Sequence, residues 1–496
     1  MGFIQATTPI PRGPAKGTAP EGTRGADGPP AARTALGALG ALAVLVSLFL
    51  LAAGAAGTPS QYVPARTSGW PDWLAGPLKG LGLGLGSSSF QTLMLIMCAG
   101  YLLVLATSRR LPVGLLIGAI ALAHLILLLG PPLISQDVFG YLAFARMGAL
   151  HGLDPYTHVA AEAPTDPAFA FVGWPFKHSP YGAVFTLASY ATVPLGLAGG
   201  LWALKATAVA ASLGAIALVA RAAGRLGESP RFAAAFVGLN PVLLVLAVGG
   251  AHNDTLVILS LSLALSLTAG ASPRLRAGAG ALAAGVGVKV TAGLLLPFLV
   301  LSSPRPRERI DTAVSGAIAL LVVAALGIIG FGVHALGFLN AVGEQQQLVA
   351  THSIPAETAR LFGLSGTPAW WRHLFVAGFL ATLAATLWRT WRGADWRVAA
   401  GWATLALLLS TAWLLPWYAI WLLPLAAVGR DRRLRAATLV FCAYAVLIHL
   451  PLADGLLSPP RAQVAHHLHV AVPGLVHRLE LTGFKVLGDV QVDFRW

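Results

Sequence analysis

The sequence predicts an all-α, polytopic membrane protein, a bundle of about 11–13 transmembrane helices with a long external loop after the third span. Three observations carry that expectation. Of the 496 residues, 56% are apolar and 10% charged, and the mean hydropathy is +0.73; soluble chains carry about 25% charged residues. Uncharged runs of roughly 17–22 residues recur, the length that crosses a hydrocarbon core of about 30 Å. They lack the alternation of a barrel strand, so their backbone polar groups can be satisfied in lipid only as helices. Finally, Lys and Arg gather in short clusters between the runs, at 109–110, 221–231, 274–276, 305–309, 389–397 and 430–435. Such clusters mark cytoplasmic loops.

The formal charge of +14 is therefore spread over loops and does not mark a nucleic-acid binder. Cys98 and Cys442 both fall in apolar runs and offer neither a disulfide framework nor a zinc spacing.

Taken in order, residues 1–33 are rich in Pro, Gly, Ala and Thr and are expected to be a disordered cytoplasmic arm. The transmembrane domain is expected over 34–452. Its first span, 35–56, is long for a signal peptide and follows a long arm, so it reads as retained. Span 90–107 returns to Arg109-Arg110, and span 111–130 leaves again. That puts 131–180 outside, with Asp137, Arg146, Asp154, Glu162, Asp166, Lys177 and His178. Residues 181–199 are apolar, but a full crossing there would put the basic stretch 221–231 outside. A re-entrant segment is expected instead. Spans follow at 203–220 and 231–248, then an external turn at 249–254 and a span at 255–270. Residues 277–301 have basic clusters at both ends and read as a short hairpin with Lys289 near its tip. Further spans are expected at 311–332, 372–388, 398–415, 419–429 and 436–452, with 333–369 an external loop and Pro416-Trp417-Tyr418 an external turn. Residues 453–496 are then an external tail, in which His466, His467 and His469 read as surface rather than as a metal site. No internal repeat of fixed period is present.

Ionisable groups at membrane level are costly and mark candidate functional sites. Asp137 directly follows the third span, in Ser135-Gln136-Asp137-Val138-Phe139-Gly140-Tyr141. It reads either as a general base in a partly buried aromatic setting or as the cap of an interfacial helix over 138–150. His252, Asn253 and Asp254 end one span and open the next, and either cap a helix or bind hydroxyls. His252 and Asp254 lack a further ligand spaced to complete a metal site. Lys289 is far from both ends of its apolar stretch, which points to contact with an anion such as phosphate rather than to snorkelling. Lys205, near Trp202 at the start of a span, reads equally either way. Tyr181 in Lys177-His178-Ser179-Pro180-Tyr181-Gly182, together with Trp417 and Tyr418, belongs either to an aromatic belt or to a sugar-stacking surface. The loop with Glu344-Gln345-Gln346-Gln347 and His352 is a candidate acceptor surface. No phosphate-binding Walker loop is present, so the energy for a reaction must come from its substrate.

The run Ser135 to Tyr141, then Gly152-Leu153-Asp154-Pro155-Tyr156, Ser179-Pro180-Tyr181-Gly182, Leu239-Asn240-Pro241, Gly249-Gly250-Ala251-His252-Asn253-Asp254 and Val288-Lys289-Val290 resemble, in this order, the C-type (GT-C) superfamily of membrane glycosyltransferases. Within it they are similar to the actinobacterial polyprenyl-phosphomannose-dependent α-(1→6)-mannosyltransferases, over residues 90–430. The resemblance implies a GT-C-like bundle with Asp137 as catalytic base. It also implies a polyprenyl-phosphate hexose donor, mannose in this subgroup, and inversion at the anomeric carbon. Many relatives carry two neighbouring acids in this loop. Here Gln136 precedes Asp137, so no divalent metal or other cofactor is expected.

Elementary chemistry agrees with that reading. An acceptor hydroxyl needs one carboxylate within about 3 Å to take its proton. A lipid phosphate leaves without protonation but needs cations or aimed donors, for which Lys289, Lys205 and His178 are the candidates. Tyr141, Tyr181, His252, Asn253, Asp254, Trp417 and Tyr418 would hold sugar or acceptor. The expected partners are a lipid-linked sugar donor, a glycan or glycolipid acceptor and membrane lipids, with the site on the extracytoplasmic face of the plasma membrane. A secondary transporter or flippase would show paired repeats with ionisable groups at the midplane. A lipid-diphosphate-dependent polymerase or ligase would show more basic external loops. Neither pattern is present.

Overall fold

The computed structural model describes residues 30–57 and 71–457, and among them every regular element is helical. Most of the expected arm and tail, with His466, His467 and His469, lies outside the described residues.

Helices α1 (Pro30–Gly57) and α2 (Ser87–Thr107) pack as a pair. Their backbones nearly touch: a Cβ on Gly40 would lie 2.6 Å from the Gly100 carbonyl oxygen, and one on Gly100 would lie 2.7 Å from that of Gly40. Small residues permit this in lipid, where helix association depends on close packing. Helix α3 (Val113–Leu129) stops at Gly130-Pro131-Pro132, since proline cannot continue the ladder. Helix α4 (Asp137–His151) follows and closes on Gly152 at φ 65°. The next stretch is irregular and is clamped to α4 by Asp166, which accepts from Arg146 Nε at 2.9 Å and contacts His151 Nε2 at 2.8 Å.

Residues 183–195 form a short helix, Ala183–Ser189, and a 3₁₀ turn, Tyr190–Leu195, packed on α4. The chain then turns at Gly196, at φ 69°, into the 30-residue α5 (Gly196–Arg225). Helix α6 (Pro230–Gly238) bends by 46° into a π-helical turn, Val242–Val248. Pro241 brings no N–H to the ladder at the break. Tyr101 Oη donates to the Phe236 carbonyl at 2.8 Å, and Asn240 Oδ1 accepts from the Val242 N–H at 2.9 Å.

After α7 (Asp254–Thr268), α8 (Leu275–Val286) turns back on residues 290–301. A Cβ on Gly285 would meet Ala292 at 3.0 Å and one on Gly278 would meet Leu299 at 3.2 Å. This antiparallel register is the expected hairpin, and it puts Lys289 at the tip. Then come α9 (Pro306–Phe331), α10 (Ala369–Trp391) and α11 (Trp396–Ser410). A 3₁₀ turn, Pro416–Trp421, leads to α12 (Leu422–Val428) and α13 (Arg432–Leu447).

By length and composition, five helical stretches of the described residues could cross a membrane, or six with the bent pair. The expected 11–13 full spans are thus not all present as long helices. Several are broken, because irregular backbone at membrane depth is tolerated where protein buries it.

The basic clusters converge on one end of the bundle. Arg231 donates to the Arg109 carbonyl at 3.1 Å, Arg430 and Arg435 both bind Glu228, and Arg225 donates to the Ser266 carbonyl at 2.9 Å. Arg276 binds Asp311, and Arg309 reaches the Trp391 carbonyl at 3.4 Å. Asp254 starts the helix that runs to the cluster at 274–276, Lys289 is at the tip of the hairpin that begins there, and Asp137 follows the helix that leaves Arg109-Arg110.

Candidate active site

Four elements meet around Asp137, Asp254 and Lys289: the start of α4, the turn into α7, the tip of the hairpin and the Pro416–Trp421 turn. The first two are tied by the Leu133 N–H, which donates to the Gly249 carbonyl at 2.9 Å. Each also carries a non-glycine residue in the left-handed region, Ile134 at φ 67° and Ala251 at φ 54°. Such backbone costs about 1–3 kcal/mol and concentrates at functional sites. Here the two residues precede Asp137 and His252 in the chain.

Asp137 is the first residue of α4, and its side chain does not cap that helix; its N–H donates to Ser135 Oγ at 3.1 Å. One carboxylate oxygen lies 3.4 Å from His252 Nδ1. The His252 ring is fully buried and stacks on Trp417 at 3.9 Å between centroids. Neither ring nitrogen has a hydrogen-bond partner. The imidazole is thus held by packing, close to the carboxylate without capturing it.

Asp254, fully buried, accepts both contacts from Lys289 Nζ, at 3.0 and 3.1 Å, and a third from Trp421 Nε1 at 2.8 Å. The Lys289 ammonium also sits 4.3 Å from the centre of the Tyr418 ring, a cation–π contact. Tyr141 Oη lies 3.3 Å from both Asn253 Oδ1 and the Asn253 N–H, and its ring meets Tyr181 edge-on at 4.8 Å.

A cavity of about 650 Å³, its mouth included, opens over this cluster. Asp137, Lys177, His178, Tyr181, Lys289 and Tyr418 line it, with Trp174 and Trp413 along the wall. His178 Nδ1 is 2.9 Å from Glu344 Oε1, which pins the later loop over the same cavity.

Asp137, His178, Tyr181, Lys289 and Tyr418 thus line one cavity, whereas Tyr141, His252, Asn253, Asp254 and Trp417, expected to hold sugar or acceptor, are buried behind its wall, and Lys205 lies apart. Lys205 is buried elsewhere and donates to the carbonyls of Leu127 and Gly130, at 2.9 and 2.6 Å, at the end of α3. It satisfies carbonyls that the helix leaves open. Trp421 escaped the sequence reading, and Lys177 was placed in the external loop without a role. Trp421 lies three positions after Tyr418 in a 3₁₀ turn, where residues i and i+3 eclipse, so its shared face was available as a signal. Lys177 lines the cavity and, among the described residues, pairs with no carboxylate. The described residues bring no three His, Cys, Asp or Glu side chains together as a metal-ligating group.

Comparison with known proteins bears on this arrangement. The family described as alpha-(1→6)-mannopyranosyltransferase, N-terminal domain, matches residues 34–305, more than half of the chain. The MptB C-terminal domain matches residues 364–477. The chain is 28% identical to alpha-(1→6)-mannopyranosyltransferase A of Mycobacterium tuberculosis over 364 residues, covering 66% of this chain and 67% of that relative. No solved structure matches.

Proposed function

The chain belongs to the alpha-(1→6)-mannopyranosyltransferase family, and from that premise we propose that it moves a mannosyl group from a polyprenyl phosphate to a glycan or glycolipid acceptor on the outer face of the plasma membrane. One observation carries the reading. A carboxylate at the cavity wall stands beside a buried imidazole that does not hydrogen-bond it, with cations along the same cavity.

The acceptor hydroxyl gives its proton to Asp137 as its oxygen bonds to the anomeric carbon. The bond from that carbon to the lipid-phosphate oxygen breaks, and the electron pair leaves on the phosphate, with inversion. Asp137 faces the acceptor, so the phosphate belongs on the cationic side of the cavity. Lys289 and His178 line that side, but each already faces a carboxylate. Lys177 adds a charge that is not offset in this way. Tyr181 and Tyr418 supply aromatic surface suited to a sugar ring, while Trp417, buried against His252, together with Asn253 and Tyr141 sets the position of the wall behind Asp137.

The test is transfer in lipid nanodiscs from radiolabelled polyprenyl-phosphate mannose to a short mannoside. Wild type should transfer, and Asp137→Asn should lose about 10²–10⁴-fold in kcat, the usual worth of a general base, with an unchanged melting midpoint. Full activity in the variant would remove Asp137 from the chemistry. No transfer by wild type would remove mannose as the donor sugar.

A further inference from the structure

Outside this cavity, α10 and α11 leave an open crevice along their seam. Toward the basic end it is a cavity of about 1610 Å³, its mouth included, and further along it continues as one of about 880 Å³. The two adjoin at Thr382, which lines both. Between Arg389 and Trp371 it follows about 27 Å of α10 at 1.5 Å per residue, close to the thickness of a hydrocarbon core. Its walls are apolar: small residues such as Ala381, Ala385 and Ala399 toward the basic end, and larger ones such as Leu374, Phe375 and Leu409 further along. A Cβ on Gly378 would meet nothing within 4 Å.

The basic end of the groove has an imbalance of charge. Arg389, Arg430 and Arg433 line it with Asp395 and Asp431. Both acids are already engaged. Asp395 holds Arg397 through two contacts, at 2.9 and 3.0 Å. Asp431 accepts from Trp402 Nε1 at 3.0 Å and from the Arg433 N–H at 2.7 Å. Arg430 is bound to Glu228 at 3.1 Å. Among the described residues, the guanidinium groups of Arg389 and Arg433 face no carboxylate within ion-pair distance, and both are exposed.

We propose that this groove binds an anionic phospholipid, with its headgroup phosphate at Arg389 and Arg433 and its acyl chains along the apolar walls. Basic pockets between membrane helices favour anionic headgroups, and guanidinium matches a phosphate through paired hydrogen bonds. A zwitterionic lipid would leave the surplus charge unmet. A free phosphate would make no use of the apolar length. A helix from a second copy would have to bring a carboxylate to the two arginines.

The experiment uses the full chain in nanodiscs of mixed phosphatidylcholine and phosphatidylglycerol, released into a native mass spectrometer. Wild type should retain phosphatidylglycerol in preference to phosphatidylcholine. Arg389→Gln with Arg433→Gln should reduce that retention about tenfold or more, the worth of a lost charge-assisted hydrogen bond. Ala385→Trp, which fills the groove and leaves every charge in place, should reduce it as well. Melting curves identify a variant that fails to fold, in which case Arg389→Gln alone carries the test. Equal retention of the two lipids by wild type, or retention unchanged by loss of either charge or space, overturns the proposal. So does a dimer that Ala385→Trp dissociates.

Discussion

At the scale of single residues, the site is organised by which charges are already satisfied. Lys289 and Asp254 form a buried pair closed by Trp421. Removing one partner of such a pair leaves an uncompensated buried charge and costs about 3–5 kcal/mol, whereas replacing both by apolar groups of similar size costs far less. Lys289→Met alone should therefore lower the melting midpoint strongly. Lys289→Met with Asp254→Leu should recover much of the loss, as read by thermal unfolding in nanodiscs. Equal loss in the single and the double variant would mean that the pair is not coupled. The sequence showed that Lys289 needed an anion but not that a protein carboxylate supplies one, because the two lie 35 residues apart and meet only through the hairpin's register. Lys205 illustrates the same limit. Its partners are carbonyls 78 and 75 residues away, and no side-chain pattern marks a carbonyl.

At the scale of elements, what was legible was whatever the membrane itself dictates. The hairpin over 277–301 followed from basic clusters at both ends of a short apolar run, and the structure closes it as expected. Helix breaks were harder to read. The bend at Asn240-Pro241 depends on Tyr101 from another helix satisfying a carbonyl, and residues 183–195 depend on packing against α4. The clamp holding the segment after α4 is an element-scale device with its own pH dependence. Burial of Asp166 raises its pKa, but hydrogen bonds from Arg146, His151 and the Ala168 N–H outweigh this and hold the carboxyl below its usual range. A group depressed in the folded state contributes stability that is full above its ordinary pKa and is lost as pH falls through the folded value. The segment should thus loosen only in strong acid, below the ordinary carboxylate pKa of 3.8. Limited proteolysis by pepsin across that range should cut wild type progressively as pH falls, while Asp166→Asn should be cut already at the upper end of the range.

At the scale of the whole molecule, two ends of opposite character define the protein. Six basic clusters spread over the sequence gather at one end through contacts such as those of Arg231, Arg276 and Arg430, and the candidate site occupies the other. A positively charged end is held on the cytoplasmic side of a membrane. If that rule governs this chain, the cavity over Asp137 faces the opposite compartment, where no nucleotide sugar is supplied and a lipid-carried donor is the available chemistry. The expectation is concrete. In a background with Cys98 and Cys442 replaced by serine, Thr157→Cys, exposed beyond α4, should react with a membrane-impermeant maleimide in intact cells. Arg432→Cys, exposed at the basic end, should react only after permeabilisation. The reverse pattern would place Asp137 in the cytoplasm and remove the reason for a polyprenyl-phosphate donor, while leaving the fold and the family unchanged. Labelling of both in intact cells would mean that the two ends do not lie on opposite faces, and the charge asymmetry would then need a cause other than membrane orientation.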